Sequence, residues 1–165
     1  MIADFIYHCL AQRQAPFTFD TIHMNIEQIK SIDEVKNLLA SLDLPTEDLV
    51  PLTSVKFFGV LDVDSLVAVV GLELYGKVGL LRSLAVLPSR QTAGMGKQLV
   101  RHAEAIAMQY EVEKLYLLTT TAEAFFKRLA YQPALREGAP EPIRATSQFS
   151  GLCPASSAFL MKQLN

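Results

Sequence analysis

Leu80-Leu81-Arg82-Ser83-Leu84-Ala85-Val86-Leu87-Pro88-Ser89-Arg90-Gln91-Thr92-Ala93-Gly94-Met95-Gly96-Lys97 joins a strand, a loop and a helix start. The apolar run from Val78 to Leu87 has the composition of a buried strand, and Pro88 closes it. Beyond the glycines, Leu99, Ala103, Ile106, Ala107 and Tyr110 recur on one face of a helix reaching from about Gly94 to Tyr110. The first N–H groups of a helix are unpaired, and the aligned peptide dipoles add roughly half a positive charge there. Glycine lets an anion approach that backbone closely. The physical reading is an anion site, best suited to a pyrophosphate.

Three phosphate-binding patterns compete for this loop. A Walker loop needs Gly at position 91 and Ser or Thr at 98, where the chain has Gln91 and Gln98. A dinucleotide fingerprint beginning at Gly94 needs a third small residue where Leu99 stands. What fits is Gln91-x-x-Gly94-x-Gly96 following Leu84-Ala85-Val86-x-Pro88.

The flanking pattern is equally regular. Asn25 to Ile29 reads as a strand, and Ser31 with Glu34 as a capping box for a helix carrying Val35, Leu38, Leu39 and Leu42. Val55 to Leu61 and Leu66 to Leu74 read as a hairpin across Asp62-Val63-Asp64-Ser65, where the two aspartates are turn residues. Tyr75-Gly76-Lys77 turns into the strand that precedes the loop. Lys114 to Thr120 is a further buried strand, Ala122 to Leu129 a short helix, Ile143 to Phe149 a helical turn, and Ala158 to Leu164 a last strand. The order predicts one α/β (α+β) domain with a mixed sheet. Residues 1–23 fit this pattern poorly and are read as an N-terminal extension, leaving 24–165 as the domain.

At Gln91-x-x-Gly94-x-Gly96 the chain resembles the GNAT superfamily of acyl-CoA-dependent N-acetyltransferases. Its later motif, Asn-x-x-Ala-x-x-Phe-Tyr-x-x-x-Gly-Phe, is matched by Thr119, Ala122, Phe125, Phe126, Ala130 and Tyr131. Phe126 stands where the family carries the tyrosine that usually protonates the leaving thiolate. The wording of Gly71 to Gly76, Gly79 to Val86, Leu115 to Glu123 and Leu152 to Ser156 is similar to the GNAT branch encoded with arsenic-resistance genes, where Phe at that position is usual.

The resemblance implies a mostly antiparallel sheet flanked by helices, acetyl-CoA as cosubstrate, a small-molecule amine as acceptor and, as in many members, a homodimer. It implies that Leu84, Ala85 and Val86 pair with pantetheine through their backbone and direct an N–H at the thioester oxygen. Gln91, Thr92, Ala93, Gly94, Met95, Gly96 and Lys97 would cradle the pyrophosphate, with Thr119 and Phe126 completing the cofactor site. Candidate catalytic residues are Glu73, Arg82 and Ser83, with Arg144 a further group near the acceptor. Glu73 is either a general base or a solvated strand residue. Arg82 interrupts an apolar strand and needs a partner, either a carboxylate such as Glu73 or an acidic substrate. The second case makes an anionic, amino-acid-like acceptor such as a glutamate-mimicking toxin a reasonable expectation. Lys127 and Arg128 either meet the 3′-phosphate of CoA or are solvated helix charges. The competing functions are a non-catalytic acyl-CoA sensor and a protein N-acetyltransferase.

Composition narrows the rest. The chain has 165 residues, half of them hydrophobic, and a formal net charge of −2, which excludes disorder and the basic excess of most nucleic-acid binders. Its longest apolar run, Leu66 to Gly71, is far too short to span a bilayer, and Asp4 sits where a signal peptide carries basic residues. A cytoplasmic protein is expected. Cys9 and Cys153 form neither a disulfide framework nor a metal-ligand cluster, so no metal is expected. Cys153 is read as a packing residue, with a lone reactive thiol as the other possibility. His8, His23 and His102 are assigned no chemistry.

Overall fold

The computed structural model describes residues 25–49 and 55–164, so the leader read as an extension, with Cys9 and two of the histidines, lies outside the described residues. Strand β1 (Glu27–Ile29) leads into α1 (Ile32–Ala40). Its start follows the expected capping: the Glu34 N–H donates to Ser31 Oγ at 3.3 Å. Then come β2 (Val55–Asp62), β3 (Ser65–Tyr75) and β4 (Val78–Val86). A tight 3-10 turn over Pro88–Ala93 runs into α2 (Met95–Gln109), followed by β5 (Lys114–Thr119) and α3 (Glu123–Arg128). The tail holds the very short β6 (Gln132–Pro133), α4 (Glu141–Arg144), a wide helical turn over Gln148–Leu152, and β7 (Ala158–Gln163). Sequence pattern places every element but β6. Gln132-Pro133 ends α3 as expected and then pairs with Met161 and Leu160 at the sheet edge, where a proline costs no ladder bond.

The seven strands lie in the order β1-β2-β3-β4-β5-β7-β6. All neighbours are antiparallel except β4 and β5. The mixed, mostly antiparallel sheet expected from sequence is what forms. On one face α2 seats Leu99, Val100, Ala103 and Ala107 against Phe58, Val70, Leu72 and Leu81. On the other, α1 seats Val35, Leu38 and Leu39 against Phe57, Val69 and Ala85, and α4 brings Ile143 over Leu80, Tyr116 and Phe159. Being covered on both faces, β3 is buried from Leu66 to Glu73, which is why it reads as a continuous apolar run. Among the described residues no helix is long and apolar enough to cross a membrane.

Two local features shape the centre. Strands β4 and β5 pair only from Val78 to Leu80 against Lys114 to Tyr116, so beyond Leu80 they part. Within β4, Ser83 and Leu84 together oppose the single residue Val70, the ladder jumping from Gly71–Arg82 to Val69–Ala85. Ser83 takes φ 52° at this bulge, a left-handed conformation that costs a non-glycine residue about 1–2 kcal/mol.

Candidate functional site

The parted edge of β4 presents backbone groups that no strand takes up. The Leu87 N–H donates to Val67 O at 2.9 Å, so alternation along the strand turns the Val86 N–H and C=O away from β3 and toward the opening. The Val86 carbonyl is reached there by a side chain: Gln91 Nε2 donates to it at 3.2 Å. Gln91, expected at the pyrophosphate, thus ties the loop back to the strand end.

Below this edge Gly94 ends the 3-10 turn and caps α2 with φ 68°. A side chain there is strained even though the space around it is open. Gly96 is different. A Cβ on it would meet Phe125 Cζ at 3.6 Å and Val86 Cγ2 at 3.8 Å, ordinary contacts that the fold tolerates. Packing does not require glycine at 96, so a ligand approaching the helix start is the remaining physical reason for one. Thr119 lies at the end of β5, and its Oγ1 accepts the Ala122 N–H at 3.0 Å; the hydroxyl hydrogen is left to donate. Phe126 is 4% exposed, with its ring edge-on to Phe125 and Tyr131 at centroid distances of 5.1 and 5.5 Å.

The opposite face of the sheet holds a cleft of 780 Å³, lined by residues including Asp48, Glu73, Tyr75, Arg82 and Thr146. Its wall is built on Arg82. Gly71, paired with Arg82 across the ladder, leaves the room its stem needs: a Cβ at 71 would stand 3.0 Å from Arg82 Cγ. The guanidinium forks onto Asp48, with Nη2 at 2.8 Å from Oδ1 and Nη1 at 2.6 Å from Oδ2. Nη1 also donates to Glu73 Oε1 at 2.8 Å, and Nε to Ser83 Oγ at 3.3 Å. The Tyr75 hydroxyl donates to Glu73 Oε2. Gln148 donates to Asp48 Oδ2 at 3.4 Å and accepts from the Cys153 thiol at 3.3 Å.

These contacts settle what sequence left open. Glu73 is buried, not solvated, with both oxygens engaged. Arg82 has its carboxylates within the protein, and the second, Asp48, gives no sequence signal because it comes from the loop after α1. Burial works against charge on both groups, yet their pairing holds Arg82 above its ordinary range and Asp48 below the usual carboxylate range. Burial and the Glu73 carboxylate push the Tyr75 hydroxyl well above a free phenol. Cys153 is half-buried with its thiol pushed up by burial, the opposite of a reactive thiol. Of the histidines only His102 falls within the description; it meets Phe58 edge-on at 5.0 Å, and burial lowers its pKa. Arg144 ends α4 and is exposed. Asp62 pairs with Arg90 of the loop, a link beyond its expected turn role.

The sequence profile of the acetyltransferase (GNAT) family matches residues 26–131. An N-acetyltransferase of Chlorobaculum tepidum, described as uncharacterized, is 37% identical over 67 residues, 41% of this chain and 43% of that protein. An amino-acid acetyltransferase of Ralstonia nicotianae is 32% identical over 87 residues, 53% of this chain and 18% of that protein. The chain therefore spans less than half the length of either relative. Among solved structures, N-acetylglutamate synthase of Neisseria gonorrhoeae, complexed with coenzyme A and N-acetyl-glutamate, superposes with a TM-score of 0.72 at 21% identity, covering 86% of this chain and 35% of that one.

Proposed function

The chain belongs to the acetyltransferase (GNAT) family, and from that premise we propose that it moves an acetyl group from acetyl-CoA to the amine of a small molecule. One observation carries this reading: β4 and β5 part beyond Leu80, leaving the Val86 amide free at an edge that adjoins the glycine-started α2. An extended chain of amides, as in pantetheine, can continue such a ladder, and a pyrophosphate fits the unpaired N–H groups at the helix start. Leu84, Ala85 and Val86 would hold the pantetheine arm, Thr92, Ala93, Gly94, Met95, Gly96 and Lys97 the pyrophosphate. Gln91 fixes the loop to the strand, and Thr119 offers its hydroxyl from β5.

In the reaction the acceptor nitrogen bonds to the thioester carbonyl carbon, the C–S bond breaks, and the amine gives up a proton. A backbone N–H of the β4 edge stabilises the oxyanion. Glu73 is the buried carboxylate of the cleft wall, and we assign it the ammonium proton, taken directly or through water. Arg82 keeps Glu73 ionised, and Ser83, whose oxygen accepts from Arg82, can direct its own hydrogen toward the ligand. Since Phe126 has no proton to give, the thiolate leaves unassisted or is protonated by water; a free thiol titrates near 8.5.

We place the acceptor in the cleft of 780 Å³. With two carboxylates on one guanidinium, the Arg82 cluster carries surplus negative charge and suits an ammonium, not a second carboxylate. An acceptor carboxylate would turn instead to Lys30 on the cleft rim. A zwitterionic, amino-acid-like acceptor meets both ends, as the acetyl-glutamate held by the Neisseria enzyme suggests. An anionic toxin mimic is the special case in which the side chain also carries charge, and its link to arsenic resistance rests on segment wording alone. The test is thiol release from acetyl-CoA with a panel of amino acids, polyamines and aminoglycosides. Turnover confined to amino-acid-like amines is expected. Tight acetyl-CoA binding without turnover on any acceptor would make the protein a sensor.

A further inference from the structure

Residues Lys97, Arg101, Glu104, Arg128, Leu129, Ala130 and Lys162 enclose a small pocket of 220 Å³ between α2, α3 and β7. Four cations converge there against one carboxylate. Glu104 is committed to Lys162, Nζ to Oε2 at 2.8 Å. Among the described residues no carboxylate lies in ion-pair reach of Lys97, Arg101 or Arg128. Converging like charges repel, so such a pocket is best explained by an anion that they share. Its neighbour Lys127 differs, being paired with Glu123 at 2.6 Å on the other side of α3.

The position of the pocket indicates which anion. Val86, at the open edge of β4, and Phe125 both adjoin Gly96. Lys97 follows in the chain, and Arg101 stands one turn farther along α2, facing Arg128 of α3 across the pocket. The crevice between α2 and α3 thus leads from the strand edge, past the helix start, into the cationic pocket. In CoA the pyrophosphate is followed, through C5′ and C4′ of the ribose, by a phosphate on C3′. One turn of helix, about 6 Å for four residues, is the right order of spacing for those two groups.

We propose that Arg101 and Arg128, with Lys97 and Lys162, bind the 3′-phosphate of CoA and make the protein selective for CoA over its 3′-dephospho form. This rests on the acetyl-CoA reading and deepens it. A dianion shared by two guanidinium groups is bound by charge-assisted hydrogen bonds, which are stronger than neutral ones. The experiment is titration calorimetry of the full chain with CoA and with 3′-dephospho-CoA, for the wild type and for an Arg101→Ala/Arg128→Ala variant. The wild type is expected to bind CoA on the order of 10- to 100-fold tighter than dephospho-CoA, and the preference should shrink as salt is raised. The double variant should bind both ligands alike, at the affinity the wild type has for dephospho-CoA, which also certifies its fold. Equal binding of both ligands by the wild type overturns the inference and leaves the acetyl-CoA reading standing. So does a double variant that binds dephospho-CoA normally and still prefers CoA. Binding of neither ligand by the wild type overturns both.

Discussion

At the scale of single residues, Arg82 holds the cleft wall together. Its side chain is 3% exposed and joins two carboxylates brought from different elements. Removing one partner of a buried ion pair leaves an uncompensated charge, so Arg82→Met is expected to cost about 3–5 kcal/mol in urea unfolding. Acid acts on the same cluster. Asp48 titrates below its ordinary value of 3.8 in the folded protein, so its contribution to stability is present above that value and lost as pH falls through the folded pKa. Asp48→Asn should therefore flatten the acid limb of stability against pH below about 4, measured by urea midpoints from pH 2.5 to 7. An acid limb unchanged by the substitution would contradict the ion-pair assignment. Ser83 offers a simpler check. Its φ of 52° suits glycine, so Ser83→Gly should gain up to about 1 kcal/mol and Ser83→Val should lose that much or more.

At the scale of elements, the loop into α2 separates fold from ligand. Gly94→Ala forces a Cβ into the left-handed region and should cost about 1–2 kcal/mol of stability. Gly96→Ala meets only ordinary contacts, so its urea midpoint should stay near wild type while CoA affinity falls at least tenfold. A variant at 96 that unfolds would contradict this. How far these elements can be read from sequence follows from range. Helix α1 and the β2–β3–β4 meander rest on caps, turns and periodicity within a few residues, and the chain alone discloses them. The parting of β4 and β5 and the bulge at Ser83 arise from pairing across the sheet, and only the resemblance to a family anticipates them. Glu73 reads as possibly solvated because it flanks a turn; burial comes from a loop and a turn packed over it from distant sequence. The pairing of Lys127 and the freedom of Arg128 likewise depend on which side of α3 faces α2.

At the scale of the whole molecule, the sheet carries two concavities on opposite faces, with the unpaired β4 edge between them. One reactant can be held from the α2 side and the other from the side of α1 and α4, meeting at the gap. Cosubstrate binding at that gap is expected to protect a small, contiguous set of amides from hydrogen exchange. Protection should rise at Val86 and over Gly94 to Lys97 on adding CoA, and stay unchanged along β1 and β2. Leu87, already bonded to Val67, should exchange slowly with or without ligand. Saturation at one hundred times Kd should add about 2.7 kcal/mol to global stability. Protection confined to β1 and α1 would put the cosubstrate elsewhere.

The order of the elements, the glycine-started helix and the absence of a basic excess are properties of local sequence. Neighbouring residues share dihedral preferences, caps and periodicity whatever the rest of the chain does. Tertiary structure alone supplied the second carboxylate of Arg82, the free edge at Val86 and the company of Arg128. Each depends on where distant segments come to rest. The early puzzle of a chain with net charge −2 and a polyanionic ligand resolves at that level: the chain's few cations need only converge at one place.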